Sequence, residues 1–212
     1  TGLKEVVFPE NAKGMRIDGL AFGDCTSLEE IVIPDGISQN GVQRADGLFM
    51  GCTSLKKADV AFGGYRMFRN CTSLTDVTLR KGIESISTYQ FAGCTALKEL
   101  TIPEGVTSIR HGAFDDCSNL KSITIPSSIE DLGHPDDNLS YTSPFIRCSA
   151  LAEINVSPQN KNYIFEDGIL YNQDKTELIF CTNARGDSTF VVPDHVKNVY
   201  AGALSGCAGI KT

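Results

Sequence analysis

The sequence predicts a mainly-β solenoid, in which two short strands per coil stack into a continuous column and a small β-meander is let into the stack near its end. Three observations carry this expectation. One stretch, Phe22-Gly-Asp-Cys-Thr-Ser-Leu-Glu-Glu-Ile-Val-Ile-Pro34, recurs along the chain, and its phenylalanines at 22, 49, 68, 91, 114 and 145 stand 27, 19, 23, 23 and 31 residues apart. A motif held constant while its connections vary in length is the signature of a stacked repeat. Within each copy, the last two apolar residues of Leu-x-x-Ile-x-Ile are two apart, which sends both to one face of a strand. Finally, proline and glycine follow, as in Pro103-Glu-Gly-Val106, and end that strand in a turn.

The elements follow in order. Thr1 to Pro9 is in register with Thr26 to Pro34, so the chain is expected to open inside a coil, immediately after a cysteine position. First strands are predicted after Leu28, Leu55, Leu74, Leu97, Leu120 and Leu151, and a second strand after the turn, as at Val106 to Ile109. The stretches 38–48 and 60–67, containing Ser38-Gln-Asn-Gly41 and Ala61-Phe-Gly-Gly64, depart from the usual second strand and predict two irregular coils. Residues 157–189 interrupt the rhythm. Apolar segments at 162–171 and 176–181, split by Asp167-Gly168 and by the polar tetrad Asn172 to Lys175, read as a β-meander. The repeat resumes at Phe190 and breaks off past Cys207. The expected division is therefore 1–156 solenoid, 157–189 insert and 190–212 resumed repeat, in one continuous domain. Ends that fall inside a coil predict an excerpt of a longer repeat protein, with end-to-end self-association through uncapped coils as one consequence.

The copies resemble the leucine-rich repeat, and within it the BspA-like bacterial subtype, whose repeat reads roughly F-x-x-C-x-x-L-x-x-I-x-I-P-x-G-V-x-x-I-x-x-x-A-F. Cys94 through Phe114 satisfies that pattern position by position. The resemblance covers nearly the whole chain. It implies a right-handed leucine-rich-repeat solenoid, an extracellular or cell-surface location, and a non-catalytic role in binding a protein partner such as a host surface or extracellular protein.

Cys25, Cys52, Cys71, Cys94, Cys117, Cys148 and Cys207 share one repeat position. A catalytic or metal-binding role needs one constellation rather than seven equivalent copies, so these residues are expected to form a structural ladder of buried thiols. Cys181 lies outside the ladder in an apolar strand. His111, His134 and His195 have no metal spacing and make no triad, and His111 and His195 are expected at the surface. No catalytic residue, metal ligand or cofactor is predicted. The loop holding His134, Asp136 and Asp137 reads first as solvated surface and second as a cation loop.

A net charge of −7, without basic runs, gives no footprint for nucleic acid, and no apolar run is long enough for membrane insertion. Two binding candidates remain. The outward columns of the first strands hold Glu30, Lys57, Asp76, Glu99 and, two residues on, Asp59, Thr78, Thr101 and Thr124, a mixed face without an aromatic platform. Arg185-Gly186-Asp187 matches the integrin-recognition tripeptide and is equally ordinary turn chemistry. Function therefore reads as an interaction or adhesion module, with a structural spacer as the alternative and an enzyme third.

Overall fold

A computed structural model describes residues 2–9, 11–37, 46–133, 141–182 and 189–207. Every regular element in it is a strand; no helix occurs among the described residues. The first strands are β1 (Glu30–Val32), β2 (Lys57–Val60), β3 (Asp76–Leu79), β5 (Glu99–Thr101), β7 (Ser122–Ile125) and β9 (Glu153–Val156). Second strands are two residues long: β4 (Ser85–Ile86), β6 (Ser108–Ile109) and β8 (Asp131–Leu132). The meander is β10 (Tyr163–Glu166), β11 (Ile169–Asn172) and β12 (Glu177–Cys181), and β13 (Asn198–Val199) belongs to the resumed repeat.

The period-two pattern buries Leu28, Ile31 and Ile33 of the first coil and exposes Glu30 and Val32 between them. The same alternation recurs coil by coil, so a single core runs the length of the stack. Its spine is a column of phenylalanine rings. Phe22, Phe49, Phe68, Phe91, Phe114 and Phe145 are stacked nearly parallel at centroid spacings of 5.4 to 5.7 Å. Each ring sits in a tight corner whose second residue past the phenylalanine is left-handed: Asp24, Gly51, Asn70, Gly93, Asp116 and Arg147 all have φ between 56° and 75°. That explains the run of Asp, Gly and Asn at this position, since these residues enter the left-handed region at least cost. A side chain on Gly93 would also stand 2.5 Å from the Asn70 amide oxygen of the coil before it.

Three features differ from expectation. First, the ladder of first strands is not continuous. It forms two parallel three-stranded sheets, β1-β2-β3 and β5-β7-β9, and no backbone hydrogen bond joins β3 to β5. The second coil has no second strand: residues 61–67 are turn and coil, as their departure from the repeat predicts; the stretch 38–45 of the first coil lies outside the described residues, among which the second-strand sheet β4-β6-β8 begins in the third coil. The third coil is thus divided, its first strand pairing backward with β2 and its second forward with β6. Second, residues 2–9 keep the register of a first strand but form none; among the described residues, Glu29 N–H to Lys4 O, 3.4 Å, is their one backbone bond to the coil that follows. Third, the meander is antiparallel as expected, yet it is woven into the stack. Its β12 pairs in parallel with β13, and Phe180 meets Phe145 edge-on at 5.7 Å, taking the ring position that Leu204 leaves unfilled.

Candidate functional site

The outward face of the first strands is built by register. Glu30, Lys57 and Asp76 lie side by side across β1-β2-β3, followed by Val32, Asp59 and Thr78. Glu99, Ser122 and Glu153 do the same across β5-β7-β9, followed by Thr101, Thr124 and Asn155. Glu30, Lys57, Asp76, Glu99, Thr78 and Thr101 are exposed, whereas Thr124 and Asp59 are half-buried. Asp59 is not a free charge: Arg80 Nε donates to it at 2.6 Å and reaches Asp35 at 2.9 Å.

Between the two sheets the face opens. A concavity of about 490 Å³ is lined by Thr75, Asp76 and Val77 of β3 and its approach, by Glu99 to Thr101 of β5, and by Ser122 to Thr124 of β7. Val77 is half-buried there, while its counterparts Ile31, Ala58, Leu100, Ile123 and Ile154 are buried. The opening is confined to this side. At the corners, Phe68 N–H bonds Gln90 O at 2.8 Å and Asn70 N–H bonds Ala92 O at 2.7 Å, and the second strands are tied by Thr107 N–H to Glu84 O at 2.8 Å.

An aromatic row does exist, on the corner rather than on the strand face. Tyr65 and Tyr89 meet edge-on at 6.5 Å and Tyr89 and His111 at 5.2 Å, with Arg66 over Tyr65 at 4.6 Å and Arg69 over Tyr89 at 5.8 Å. Arg66 is fixed by a two-point contact to Asp46, at 3.0 and 2.6 Å. Gly112 makes room for this row, because a Cβ there would stand 2.5 Å from the Tyr89 ring. The signal was the two or three residues before each phenylalanine, which vary too much from copy to copy to read as a column. His111 is therefore half-buried against Tyr89, a correction to its expected surface place, while His195 is exposed beside Tyr171.

The cysteines are free thiols, buried except for half-buried Cys207. Five thiols of the ladder donate to the phenylalanine carbonyl of the preceding coil: Cys52 to Phe22, Cys71 to Phe49, Cys94 to Phe68, Cys117 to Phe91 and Cys148 to Phe114, at 3.0 to 3.2 Å. Burial pushes Cys52 up to about 11 and Cys71, Cys94, Cys117 and Cys148 above their ordinary range, which disfavours the nucleophilic thiolate. Cys207 departs from the series. Its thiol donates to Cys181 O at 3.3 Å, so the meander supplies the carbonyl as well as the ring.

Among the described residues no group of His, Cys, Asp and Glu could hold a metal ion. His134, Asp136 and Asp137, and likewise Arg185-Gly186-Asp187, lie outside the described residues. No helix there is long and apolar enough to cross a membrane.

A family model described as BspA type leucine rich repeat region matches residues 1–63 and 62–211, in six copies. Solved structures are similar too. A leucine-rich repeat protein from Eubacterium ventriosum is 26% identical over 72% of this chain and 46% of its own, with a TM-score of 0.52. One from Bacteroides ovatus is 22% identical over 91% and 56%, with a TM-score of 0.54. A leucine rich cell surface protein from Faecalibacterium prausnitzii is 31% identical over 68% and 30%, with a TM-score of 0.45. The chain thus spans between 30% and 56% of the length of these three structures. No curated protein matches it.

Proposed function

Since the chain belongs to the BspA-type leucine-rich repeat family, we propose that it is a non-catalytic interaction module of a bacterial surface or secreted protein, and that it binds another protein through the outward face of its first strands. The observation that carries this reading is the in-register, solvent-exposed array of Glu30, Lys57, Asp76, Glu99, Thr78 and Thr101 around an open concavity. Side chains on such a face are held by a rigid sheet and contribute little to the core, so they are free to serve recognition. The face lacks aromatic rings, and its charges are mixed, which favours a polar protein surface over a stacked sugar or a nucleic acid strand.

The test is titration of the purified chain against immobilised extracellular-matrix and host-surface proteins, beside a face variant (Lys57→Glu with Thr101→Arg) and Asp187→Glu. Saturable binding lost only in the face variant supports the reading. Loss only in Asp187→Glu transfers recognition to the tripeptide, and saturation of no partner at all supports the spacer.

A further inference from the structure

We infer that the split between β3 and β5 receives one extended, basic segment of a partner protein, which enters as an added strand and completes the broken sheet. This rests on the interaction reading above and names the partner's chemistry at that face.

In a parallel ladder, alternate residues direct their main-chain groups to opposite neighbours. Asp76 N–H bonds Lys56 O and Arg80 N–H bonds Val60 O, so these residues face β2 and Val77 between them faces the split. On the other side Ser122 N–H bonds Lys98 O, and Leu100 pairs with β7, which turns Glu99 and Thr101 toward the split. The N–H and C=O groups of Val77, Glu99 and Thr101 therefore form two facing, unpaired strand edges, the template that an extended peptide completes.

The side chains specify what such a peptide carries. Inward residues of the added strand would cover Val77, whose side chain is half-buried where those of the neighbouring coils, Ala58 and Leu100, are buried. Outward residues would stand between Asp76 and Glu99, the two charged groups of the lining, both carboxylates. Lys57 on β2 stands in register beside Asp76 and offsets part of its charge, whereas Glu99 has the neutral Ser122 beside it on β7, so Glu99 is the stronger anchor. Alternating apolar and basic residues satisfy both faces. The cleft is also preformed. Corner and second-strand bonds hold the third and fourth coils together behind it, so binding orders the peptide and little else.

The experiment titrates the 212-residue chain with a fluorescein-labelled peptide alternating lysine and valine, reading anisotropy and amide exchange. Two controls accompany it: the same peptide N-methylated at alternate residues, and one with glutamate for lysine. Saturable binding, slower exchange of the Val77, Glu99 and Thr101 amides, loss on N-methylation and about tenfold weaker binding in Glu99→Lys support the inference. No saturable binding overturns it, as does equal binding of the N-methylated peptide, which would mean surface charge alone. A partner protein that binds the outward face while those three amides exchange unchanged also overturns it, and leaves the proposed function standing.

Discussion

The carbonyl of Phe68 accepts two hydrogen bonds, from Cys71 N–H within its own corner at 3.0 Å and from the Cys94 thiol one coil later at 3.2 Å. Alanine at 94 would drop the second bond and leave a void; serine, with a shorter side chain, would fill the site less well and bring a group costlier to desolvate. The repeated cysteine is thus an interlayer tie, and its chemistry sets a pH limit. Burial holds Cys52 at about 11 against an ordinary 9.0 and raises Cys71, Cys94, Cys117 and Cys148 as well. Above that ordinary value the unfolded chain releases protons that the folded chain retains, so folding stability is full below about pH 9 and falls as pH rises. Each thiol contributes a slope of about 1.4 kcal/mol per pH unit. The urea midpoint should therefore drop steeply between about pH 9 and about pH 11. Cys94→Ala should flatten that drop while lowering the midpoint at neutral pH by about 1 to 2 kcal/mol of stability. A midpoint that does not change across this range would contradict the burial of the ladder. The ladder position was legible in the sequence because six of its seven cysteines stand three residues after a phenylalanine, and Cys207 stands three after Leu204. The thiol acceptor was not, because it lies on the neighbouring coil and depends on how the corners stack.

Among the elements, the meander shows how a departure from the repeat can still serve the stack. Asn160, in the turn before β10, donates from its amide to Pro126 O at 2.9 Å and Ile129 O at 3.1 Å and accepts from the N–H groups of Asn162 and Tyr163. The Tyr163 hydroxyl then donates to Glu130 O at 3.1 Å and accepts from Leu132 N–H at 3.0 Å. Two buried tethers therefore dock the insert onto the fifth coil. Tyr163→Phe should cost about 1 to 3 kcal/mol, since it leaves main-chain groups of Glu130 and Leu132 without partners, and chemical denaturation with an unchanged m-value reads the loss. A cost near zero would mean that water replaces the hydroxyl. Asp167-Gly168 announced the hairpin, because a tight turn needs residues that accept positive φ, here 50° and 77°. Nothing local announced that Phe180 would enter the ring column, because an apolar strand residue looks the same whichever partner it packs against.

At the scale of the molecule, the division of the third coil is the main departure from regularity. Thr75 to Leu79 has the same alternation as its neighbours, so the sequence around β3 predicts pairing on both sides. Pairing also depends on how successive coils are inclined, and the second coil, with 19 residues between Phe49 and Phe68 and no second strand, supports its neighbours on one side only. The core column and the corner bonds cross the division intact, while the first-strand ladder does not. In a stack whose stability is a sum of coil and interface contributions, an interface without its first-strand bonds is expected to open before those on either side of it. Amide exchange followed by mass spectrometry should resolve β1-β2-β3 opening separately from β5-β7-β9. A single exchange phase shared by both sheets would show the corner bonds to be sufficient for full cooperativity.

The same division determines how the protein would respond to a mechanical load. The bonds between coils run along the axis of the stack, so tension applied between its ends meets them one rung after another rather than all at once. Yielding begins where the rungs are fewest, between the third and fourth coils. Each coil of 23 residues that opens would then release about 80 Å of slack chain. Anchored at one end and attached to a partner at the other, such a stack acts as a shock absorber, lengthening stepwise under pull before its contact with the partner has to break.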